Sequence, residues 1–259
     1  MKQDLQKRRY PLYIGITTLV VIIVAVLTSL FFWISYKESS KTALEMADRL
    51  FSKVNEKVVE RYQNALGRVA VFANSAALIP SMAEVPILEG LSHPLLEFML
   101  KTIDNHTYLF SQYAAYSDGS FLQVIATRKN PGILLEYNAP EGTDFIVRSI
   151  SIDSQGTRKQ YWSFLDRDRH IIASRIDPDP AYDPRNRPWY RKALESDAAI
   201  FTDPYVFSSS KVPGITCAKK FSGKGGVFGA DITLEKFSQS LKKEKVSKNS
   251  ILFIFDLNG

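Results

Sequence analysis

The chain has 259 residues, of which 45% are apolar and 23% charged, a composition that excludes a disordered or fibrous protein. Its single cysteine, Cys217, excludes an internal disulfide, and its three histidines lie too far apart in the sequence to suggest a histidine-based metal centre. The formal net charge is +6, but four basic residues among the first ten supply much of it, so the basic pI does not indicate nucleic-acid binding.

An uncharged segment near the N-terminus predicts a membrane anchor. It runs from Tyr10 to Tyr36 and is longer than the roughly 20 residues that a bilayer-spanning helix needs. A cleavable signal peptide has an apolar stretch of about 7–15 residues followed by small residues. Here, bulky aromatic residues stand at positions 31–33, and such residues are typical of the membrane interface. We therefore predict an uncleaved transmembrane helix over residues 11–36.

The charges on the two sides of this segment predict its orientation. The ten residues before the transmembrane helix carry four basic side chains and one acidic one, whereas the charges between positions 37 and 45 balance. Basic residues flank membrane helices preferentially on the cytoplasmic side. Residues 1–10 are therefore predicted to form a cytoplasmic tail, and the chain from residue 37 onward is predicted to lie outside the cytoplasm.

Residues 37–80 are predicted to continue as a long stalk helix. The segment 38–78 contains no proline and a single glycine, and apolar residues recur in it at every third or fourth position. This stripe can cover the core of its own domain or pair with a second subunit, and we expect a mixture of the two. The stripe consists of Leu44, Ala47, Phe51, Val54, Val58, Tyr62, Leu66, Val69 and Phe72.

Beyond the stalk, the sequence alternates between short helices and strand-like runs. Prolines at 80 and 86 end the stalk, and residues 91–103 predict a second helix. Two β-rich runs within 107–127 flank Asp118-Gly119, which predicts a hairpin. The remaining predicted elements are a strand at 144–152, a hairpin at 158–176, a loop at 177–188, a helix from Trp189, strands near 204–207, 214–221 and 225–232, and a helix after Thr233.

This order of elements predicts an α+β fold. A long helix comes first, and antiparallel hairpins with helices at their ends follow. The last residues, 250–259, predict a strand that runs into an Asn-Gly turn, and the sequence does not contain the return strand. We therefore expect the sequence to be a fragment of a longer protein.

Motifs of catalysis and metal binding are not found in the sequence. It has no serine–histidine–aspartate order, no zinc-protease motif and no phosphate-loop motif. The glycine-rich run 223–226 fits a hairpin turn better than a phosphate cradle. Asp177, Asp179 and Asp183 lack the glycine and the glutamate of a calcium-binding loop, which favours a solvated loop. We therefore predict no catalytic residue, no metal and no cofactor.

One cluster of residues between positions 182 and 231 predicts a ligand pocket. Arg187 offers a planar fork for a carboxylate, and Trp189 and Tyr190 follow it directly with apolar surfaces that each keep a hydrogen-bond donor. Tyr205 and Asp231 lie on predicted strands, where the aspartate can face an ammonium group. The residues therefore suggest a pocket for a zwitterion. The alternative is a structural arginine at a helix end, with Trp189 in the core.

The stretch that carries this cluster resembles the double Cache family of extracytoplasmic sensor domains in bacterial receptors. The order of elements matches as well, and the likeness covers roughly residues 37–259. The family implies two PAS-like modules, with a membrane-distal module at 81–245 and the start of a truncated membrane-proximal module at 246–259. The matching motifs are Tyr182-x4-Arg187-x-Trp189-Tyr190, Asp203-Pro204-Tyr205, Pro213-Gly214-Ile215-Thr216 and the run from Gly226 to Ile232.

The amino-acid-binding members of this family imply roles for individual residues. Arg187 and Trp189 would hold the ligand carboxylate. Phe207 stands where the family pattern has a second amine-binding aspartate, so half of the negative charge for an ammonium group is missing. This departure favours a carboxylate without an amine, or a weaker amino acid site. The rest of the pocket would be lined by Tyr182, Tyr190, Tyr205 and Asp231.

The resemblance also implies a function. The chain would be the ligand-sensing region of a signal-transduction receptor in the bacterial inner membrane, such as a chemotaxis receptor. It would bind a small carboxylate or amino acid, form a homodimer through the stalk helix and make no contact with nucleic acid. The residues present would not form an enzyme. The alternatives are the N-terminal sensor of a class III nucleotide cyclase or cyclic-dinucleotide phosphodiesterase, and a membrane-anchored scaffold, which would leave the cluster at 182–231 unexplained.

Overall fold

The computed structural model describes residues 12–79, 91, 93–178, 180–208, 210–223 and 225–241. The chain divides into two compact units, residues 1–57 and residues 58–259. One helix, α1 (Leu12–Ala77), contributes residues to both units. The predicted border between the anchor and the stalk, at residues 36 and 37, is therefore not marked by a break in the helix. The strand predicted over 250–259 and the module border predicted at 245 lie outside the described residues.

In the first unit, α1 exposes its apolar side chains. Its most apolar 18-residue window has a mean hydropathy of 2.6, and none of that window is buried. Within the described residues, α1 is the one helix long and apolar enough to cross a membrane. Leu44 and Phe51 of the predicted stripe are 72% and 58% exposed, so this part of the stripe does not cover a core within the single chain.

In the second unit, the last turns of α1 pack into the core. Val69, Ala73 and Ala76 are fully buried, and the small alanines allow the helix to approach its neighbours closely. A second helix, α2 (Pro94–Asn105), begins after His93, whose ring accepts a hydrogen bond from the backbone of Leu95. Buried residues recur along α2 at the spacing of one helix face, at Leu95, Leu96, Met99, Leu100 and Ile103.

An antiparallel sheet forms the body of the second unit. Among the described residues it has nine strands in the order β5-β4-β3-β2-β1-β9-β8-β6, and β7 also pairs with β8. All pairs are antiparallel, as the predicted hairpins require. The strands are β1 (Leu109–Tyr116), β2 (Phe121–Ala126), β3 (Phe145–Ile152), β4 (Arg158–Leu165), β5 (Ile171–Asp177), β6 (Ile200–Phe201), β7 (Tyr205–Val206), β8 (Pro213–Lys220) and β9 (Gly226–Thr233).

The two faces of the sheet have different partners. One face packs on α2 and the end of α1, through residues such as Ala114, Val124 and Phe228. The opposite face carries α4 (Pro188–Leu194), which contributes Trp189 and Tyr190 to a second core cluster. Because successive residues of a strand point to opposite faces, the strands supply both cores at once. This second face also carries the residues of the candidate site.

The short elements differ most from the sequence predictions. Helix α3 (Pro131–Glu136) was not predicted, because its six residues include no buried one and so show no apolar period. The two-residue strand β6 was not predicted either. Helix α5 (Leu234–Leu241) was predicted, and the Thr233 hydroxyl caps it by accepting a hydrogen bond from the backbone of Lys236. In the glycine-rich run, Gly225 has a φ of +53° and lies in the turn between β8 and β9, so the hairpin interpretation of this run is confirmed.

Candidate functional site

A cavity opens on the face of the sheet that carries α4, and we call it the motif cavity. Its empty space, counted together with the open solvent at its mouth, is about 260 Å³. It brings together all of the predicted ligand-binding residues except Tyr190. Its lining consists of Tyr113, Gln123, Tyr182, Arg187, Trp189, Tyr205, Phe207, Ser208 and Asp231.

The loop that carries Tyr182 is held down by an arginine from the sheet. Arg158 on β4 donates hydrogen bonds to the backbone carbonyls of Pro180 (3.2 Å) and Tyr182 (2.7 Å). Farther along, Arg185 in a short 3-10 turn pairs with Asp183 at 2.8 Å and donates to the carbonyl of Ser117 in the β1–β2 turn. These bonds fix the proline-rich loop over the sheet and thereby place Tyr182 at the cavity.

Arg187 and Trp189 enter the cavity from the start of α4. Arg187 is the N-cap residue of this helix, but its side chain makes no capping hydrogen bond. Among the described residues, its guanidinium also has no ion-pair partner. Trp189 is 2% exposed, and its ring lies 4.6 Å from that of Tyr113. The tryptophan is thus a fixed wall, whereas the arginine keeps all of its donors for another molecule.

Tyr190 does not reach the motif cavity. Neighbouring residues of a helix point about 100° apart, so Trp189 and Tyr190 cannot both face it. The Tyr190 ring is buried in the core cluster beside Trp189, and its hydroxyl lies in the field of Arg185, Asp118 and Asp183. We therefore assign Tyr190 to the packing of α4 and withdraw it from the predicted lining.

A buried carboxylate forms the far wall of the cavity. Asp231 on β9 is 4% exposed and accepts hydrogen bonds from three hydroxyl groups: those of Ser111 (2.7 Å), Tyr113 (2.7 Å) and Thr216 (2.6 Å). The Tyr205 hydroxyl in turn lies 2.7 Å from that of Thr216. The carboxylate is thus the centre of a network of hydroxyl groups.

Burial decides the protonation of this carboxylate. Removal from water raises the pKa of Asp231 from 3.8 to about 6, although its three hydrogen bonds and the charge of Arg187 act in the opposite direction. Asp231 therefore titrates close to neutral pH, and its negative charge in the cavity depends on the pH.

Two motif glycines make room for aromatic rings of the cavity. A Cβ atom at Gly229 would overlap with the ring of Tyr113, which lies directly across β9. A Cβ atom at Gly214 would overlap with the ring of Phe207. Phe207 is stacked on Phe110, with ring centroids 6.0 Å apart. The glycines of the motif therefore serve the placement of Tyr113 and Phe207.

The sequence did not reveal the residues that reach the site from β1, β2 and β8. Ser111 and Thr216 lie directly opposite Asp231 on the two neighbouring strands, and Gln123 lies opposite Tyr113. Such neighbours are set by the register between strands that are distant in sequence. One signal was present, since Ser111 and Tyr113 lie at alternate positions of a predicted strand and therefore point to the same face of the sheet.

The sequence and the fold were compared with those of known proteins. The model of the family described as "Methyl-accepting chemotaxis protein-like, first PDC sensor domain" matches residues 95–239, more than half of the chain. Adenylate cyclase 1 of Rhizobium meliloti is 24% identical over 227 residues, which are 87% of this chain and 34% of the cyclase. Methyl-accepting chemotaxis protein McpB of Bacillus subtilis is 36% identical over 110 residues, which are 42% of this chain and 16% of McpB.

One chemoreceptor domain is among the solved structures that were matched. It is the ligand-binding domain of the Pseudomonas fluorescens chemoreceptor CtaA in complex with L-valine, with a TM-score of 0.40 and 18% sequence identity. The match covers 71% of this chain and 60% of that domain. The chain spans about a third of the length of the cyclase and a smaller part of McpB.

Proposed function

Because the chain belongs to the family of methyl-accepting chemotaxis protein-like sensor domains, we propose that its second unit detects a small carboxylate in the motif cavity. The matched segment, residues 95–239, contains every residue that lines this cavity. We further propose residues 81–245 as the sensor module, residues 37–80 as its stalk and residues 11–36 as its membrane anchor.

One observation carries the proposal. Among the described residues that line the motif cavity, Arg187 is the only cation. Its guanidinium forms no hydrogen bond and no ion pair with another described residue. A guanidinium beside a rigid indole is suited to a carboxylate, which can accept two parallel hydrogen bonds from it. The cavity therefore offers an anion site that the fold itself does not use.

The rest of the lining narrows the choice of ligand. An ammonium group would have to be held by Asp231, whose oxygens already accept three hydrogen bonds, and Phe207 brings no second carboxylate. A carboxylate without an amine, or an amino acid that is bound weakly through its amine, fits this lining best. Tyr182 and Tyr205 then supply walls for the remainder of the molecule.

The long helix supports the proposed location in the membrane. Residues 13–36 of α1 are exposed and mostly apolar, and the basic tail at the N-terminus favours a cytoplasmic N-terminus and a sensor outside the cytoplasm. Leu44 and Phe51 remain exposed in the single chain. We propose that they pair with the same stripe of a second copy, and that ligand binding biases the arrangement of the two stalks.

The output of the receptor has two candidates. The similarity to the methyl-accepting chemotaxis protein McpB favours a chemotaxis signalling domain. The similarity to the adenylate cyclase extends over 87% of this chain, and this coverage favours a nucleotide cyclase as the second candidate. In both cases the residues present here would bind the ligand, and a separate domain would carry out the signalling or the catalysis.

The ligand class is tested by thermal unfolding of the full chain in detergent micelles. We expect at least one of valerate, glutarate, L-valine and L-glutamate to raise the unfolding temperature, since a ligand at 100 times its dissociation constant adds about 2.7 kcal/mol of stability. Arg187→Ala should abolish this shift without unfolding the protein, because loss of one partner of a desolvated ion pair costs about 2–5 kcal/mol of binding. Arg187→Lys should also lose most of this shift, because the ammonium group of lysine cannot form the two parallel hydrogen bonds that a guanidinium forms with a carboxylate.

Arg191→Ala is the matched control. Arg191 lies on the same helix and is exposed, with a hydrogen bond to Asn186. Its substitution should leave the shift unchanged. A shift with cations alone, or an Arg187→Ala variant that still responds to carboxylates, would contradict the proposal.

A further inference from the structure

A second cleft adjoins the motif cavity on the same face of the sheet, and we call it the arginine cleft. Its empty space, counted together with the open solvent at its mouth, is about 770 Å³, and it shares Tyr182 and Ser208 with the motif cavity. Two arginines, on the strands β3 and β5, both lie against the ring of Trp162 on the strand between them. The cleft is lined by Glu136, Tyr137, Arg148, Trp162, Arg175, Ala181, Tyr182 and Ser208.

Arg148 on β3 is a buried cation with unused donors. It is 5% exposed, and its Nε donates a hydrogen bond to Gln160 at 2.7 Å. Its guanidinium lies 4.3 Å from the ring centre of Tyr182 and 5.0 Å from that of Trp162. Among the described residues, Arg148 has no ion-pair partner, and its two Nη groups donate to no side chain or backbone group. Burial lowers its pKa, which reflects the cost of holding this charge away from water.

Arg175 on β5 adds a second cation beside it. Its guanidinium lies 5.2 Å from the centre of Trp162, and one Nη donates to the carbonyl of Tyr137. Asp177 is 3.6 Å from Arg175, but the same carboxylate also accepts hydrogen bonds from Trp162 and Gln160. The acid is therefore shared among several donors, and it forms no hydrogen bond or ion pair with Arg148, although its charge opposes the lowering of the Arg148 pKa.

The strand register explains why these groups meet. Gln123, Arg148, Trp162 and Arg175 lie directly opposite one another on the adjacent strands β2, β3, β4 and β5. Tyr113 continues the row on β1. One row of side chains thus leads from the motif cavity into the arginine cleft.

Tyr182 stands between the two sites. Its hydroxyl lies in the electric field of Arg148 and also of Arg187. A molecule whose carboxylate pairs with Arg187 can therefore pass along Tyr182 towards Arg148. Over both sites the described lining carries three arginines against two acidic residues, Asp231 and Glu136.

We infer that the ligand carries two anionic groups, a first carboxylate held by Arg187 and a second one held by Arg148, with Arg175 beside it. The inference rests on the proposed function, since it assigns the class of ligand for the same site. The chemistry it names is a small dicarboxylate, with or without further substituents. A monocarboxylate would leave the Nη groups of Arg148, which face the cleft, without a protein or ligand acceptor.

Calorimetry on the full chain in detergent micelles tests the inference with two probes of equal carbon number, glutarate and valerate. We expect the wild type to bind glutarate at least tenfold more tightly than valerate. Arg148→Gln keeps a side chain that can hydrogen-bond and removes the charge. It should remove this preference while the affinity for valerate stays within twofold. Arg191→Gln, an exposed substitution outside both sites, should change neither affinity.

The outcomes separate this inference from the proposed function. If valerate binds in an Arg187-dependent way and glutarate binds no better, the second anion site is wrong and the carboxylate site stands. If Arg148→Gln weakens both probes equally, Arg148 has only a structural role and the inference is overturned. If L-valine binds the folded wild type but neither probe nor L-glutamate does, the inference fails and the carboxylate site stands; if none of the four carboxylates binds, both proposals fail. If Arg148→Gln does not fold, Arg175→Gln is the second test, because Arg175 is partly exposed. We expect it to lower the affinity for glutarate at least threefold and to leave the affinity for valerate unchanged, and an equal effect on both probes would overturn the inference.

Discussion

The two ends of one sheet face bury opposite charges in different ways. Asp231 on β9 is surrounded by hydroxyl groups that donate to it, whereas Arg148 on β3 is surrounded by rings and has one hydrogen bond from its Nε to an amide. The carboxylate is therefore largely satisfied within the protein, and the guanidinium is not. This difference shows that a buried charged group indicates a ligand site only where some of its hydrogen-bond donors or acceptors are not used by the protein itself. By this criterion the arginines, more than the aspartate, define the chemistry of the site.

The largest effect should follow from disturbing the carboxylate end through Gly229. In Gly229→Ala the new methyl group overlaps with the ring of Tyr113, so the ring must move and its hydrogen bond to Asp231 is lost. Overpacking together with a lost charged hydrogen bond predicts a decrease of about 3–5 kcal/mol in the free energy of unfolding. Urea unfolding measures it. Gly67→Ala, in α1 with nothing within 4 Å, should be neutral or stabilising by up to about 1 kcal/mol. Equal effects of the two changes would refute the close approach of Tyr113.

A second, smaller effect concerns the charge of Asp231. Its pKa is higher in the folded protein, about 6, than its ordinary value of 3.8, so the folded state holds the proton more firmly. This contribution to stability is fully present below about pH 4 and is lost as the pH rises through about 6. The difference between the two pKa values corresponds to about 3 kcal/mol.

Asp231→Asn isolates this contribution. Its amide oxygen can still accept from Tyr113 and Thr216, and its amide nitrogen can donate to Ser111. Relative to the wild type, we expect this variant to gain on the order of 3 kcal/mol in unfolding free energy between pH 4 and pH 7.5. The exposed Asp153 provides the control: backbone hydrogen bonds lower its pKa from 3.8, so it is ionised throughout this pH range and Asp153→Asn should show no trend between pH 4 and pH 7.5. A flat difference between wild type and Asp231→Asn would show that burial does not shift the pKa of Asp231.

The smallest effect sharpens the contrast by adding an acid to the carboxylate end. Phe207→Asp places a second negative charge on the wall of the motif cavity and should favour ligands with an ammonium group. Phe207→Asn removes the same ring without adding charge and is its matched control, since loss of the ring alone destabilises the core around Phe110. Calorimetry with L-glutamate and its des-amino analogue glutarate should show about a tenfold change in preference, about 1.4 kcal/mol, between the two variants. An unchanged ratio would mean that position 207 does not face the ligand.

Features that depend on nearby residues could be predicted from the sequence. The hairpin at Asp118-Gly119 follows from local turn chemistry, and Gly119 has a φ of +95° as such a turn requires. The loop and helix from Tyr182 to Trp189 form one short stretch, so several cavity residues could be identified together. The long helix followed by an antiparallel sheet was predicted for the same reason, because its periodicity is visible in the sequence.

Features that depend on strand register could not be predicted. Arg148 resembles an ordinary polar residue of a half-exposed strand, and only its position opposite Gln123 and Trp162 places it beside the site. Tyr190 could not be separated from Trp189, because the rotation of α4 on the sheet decides which of them faces the cavity. The exposure of Leu44 and Phe51 likewise depends on how far the core extends along α1.

The hydroxyl network around Asp231 has a fixed direction. Each hydroxyl group has a single proton, and those of Tyr113 and Thr216 are both used on the carboxylate. The proton of the Tyr205 hydroxyl is therefore the one that joins it to Thr216, and towards the cavity Tyr205 presents lone pairs alone. While Asp231 is ionised, this wall of the cavity can accept hydrogen bonds from a ligand and donates none. A ligand group that forms a hydrogen bond with Tyr205 would therefore be the donor, as a hydroxyl or amine substituent on the carbon skeleton would be.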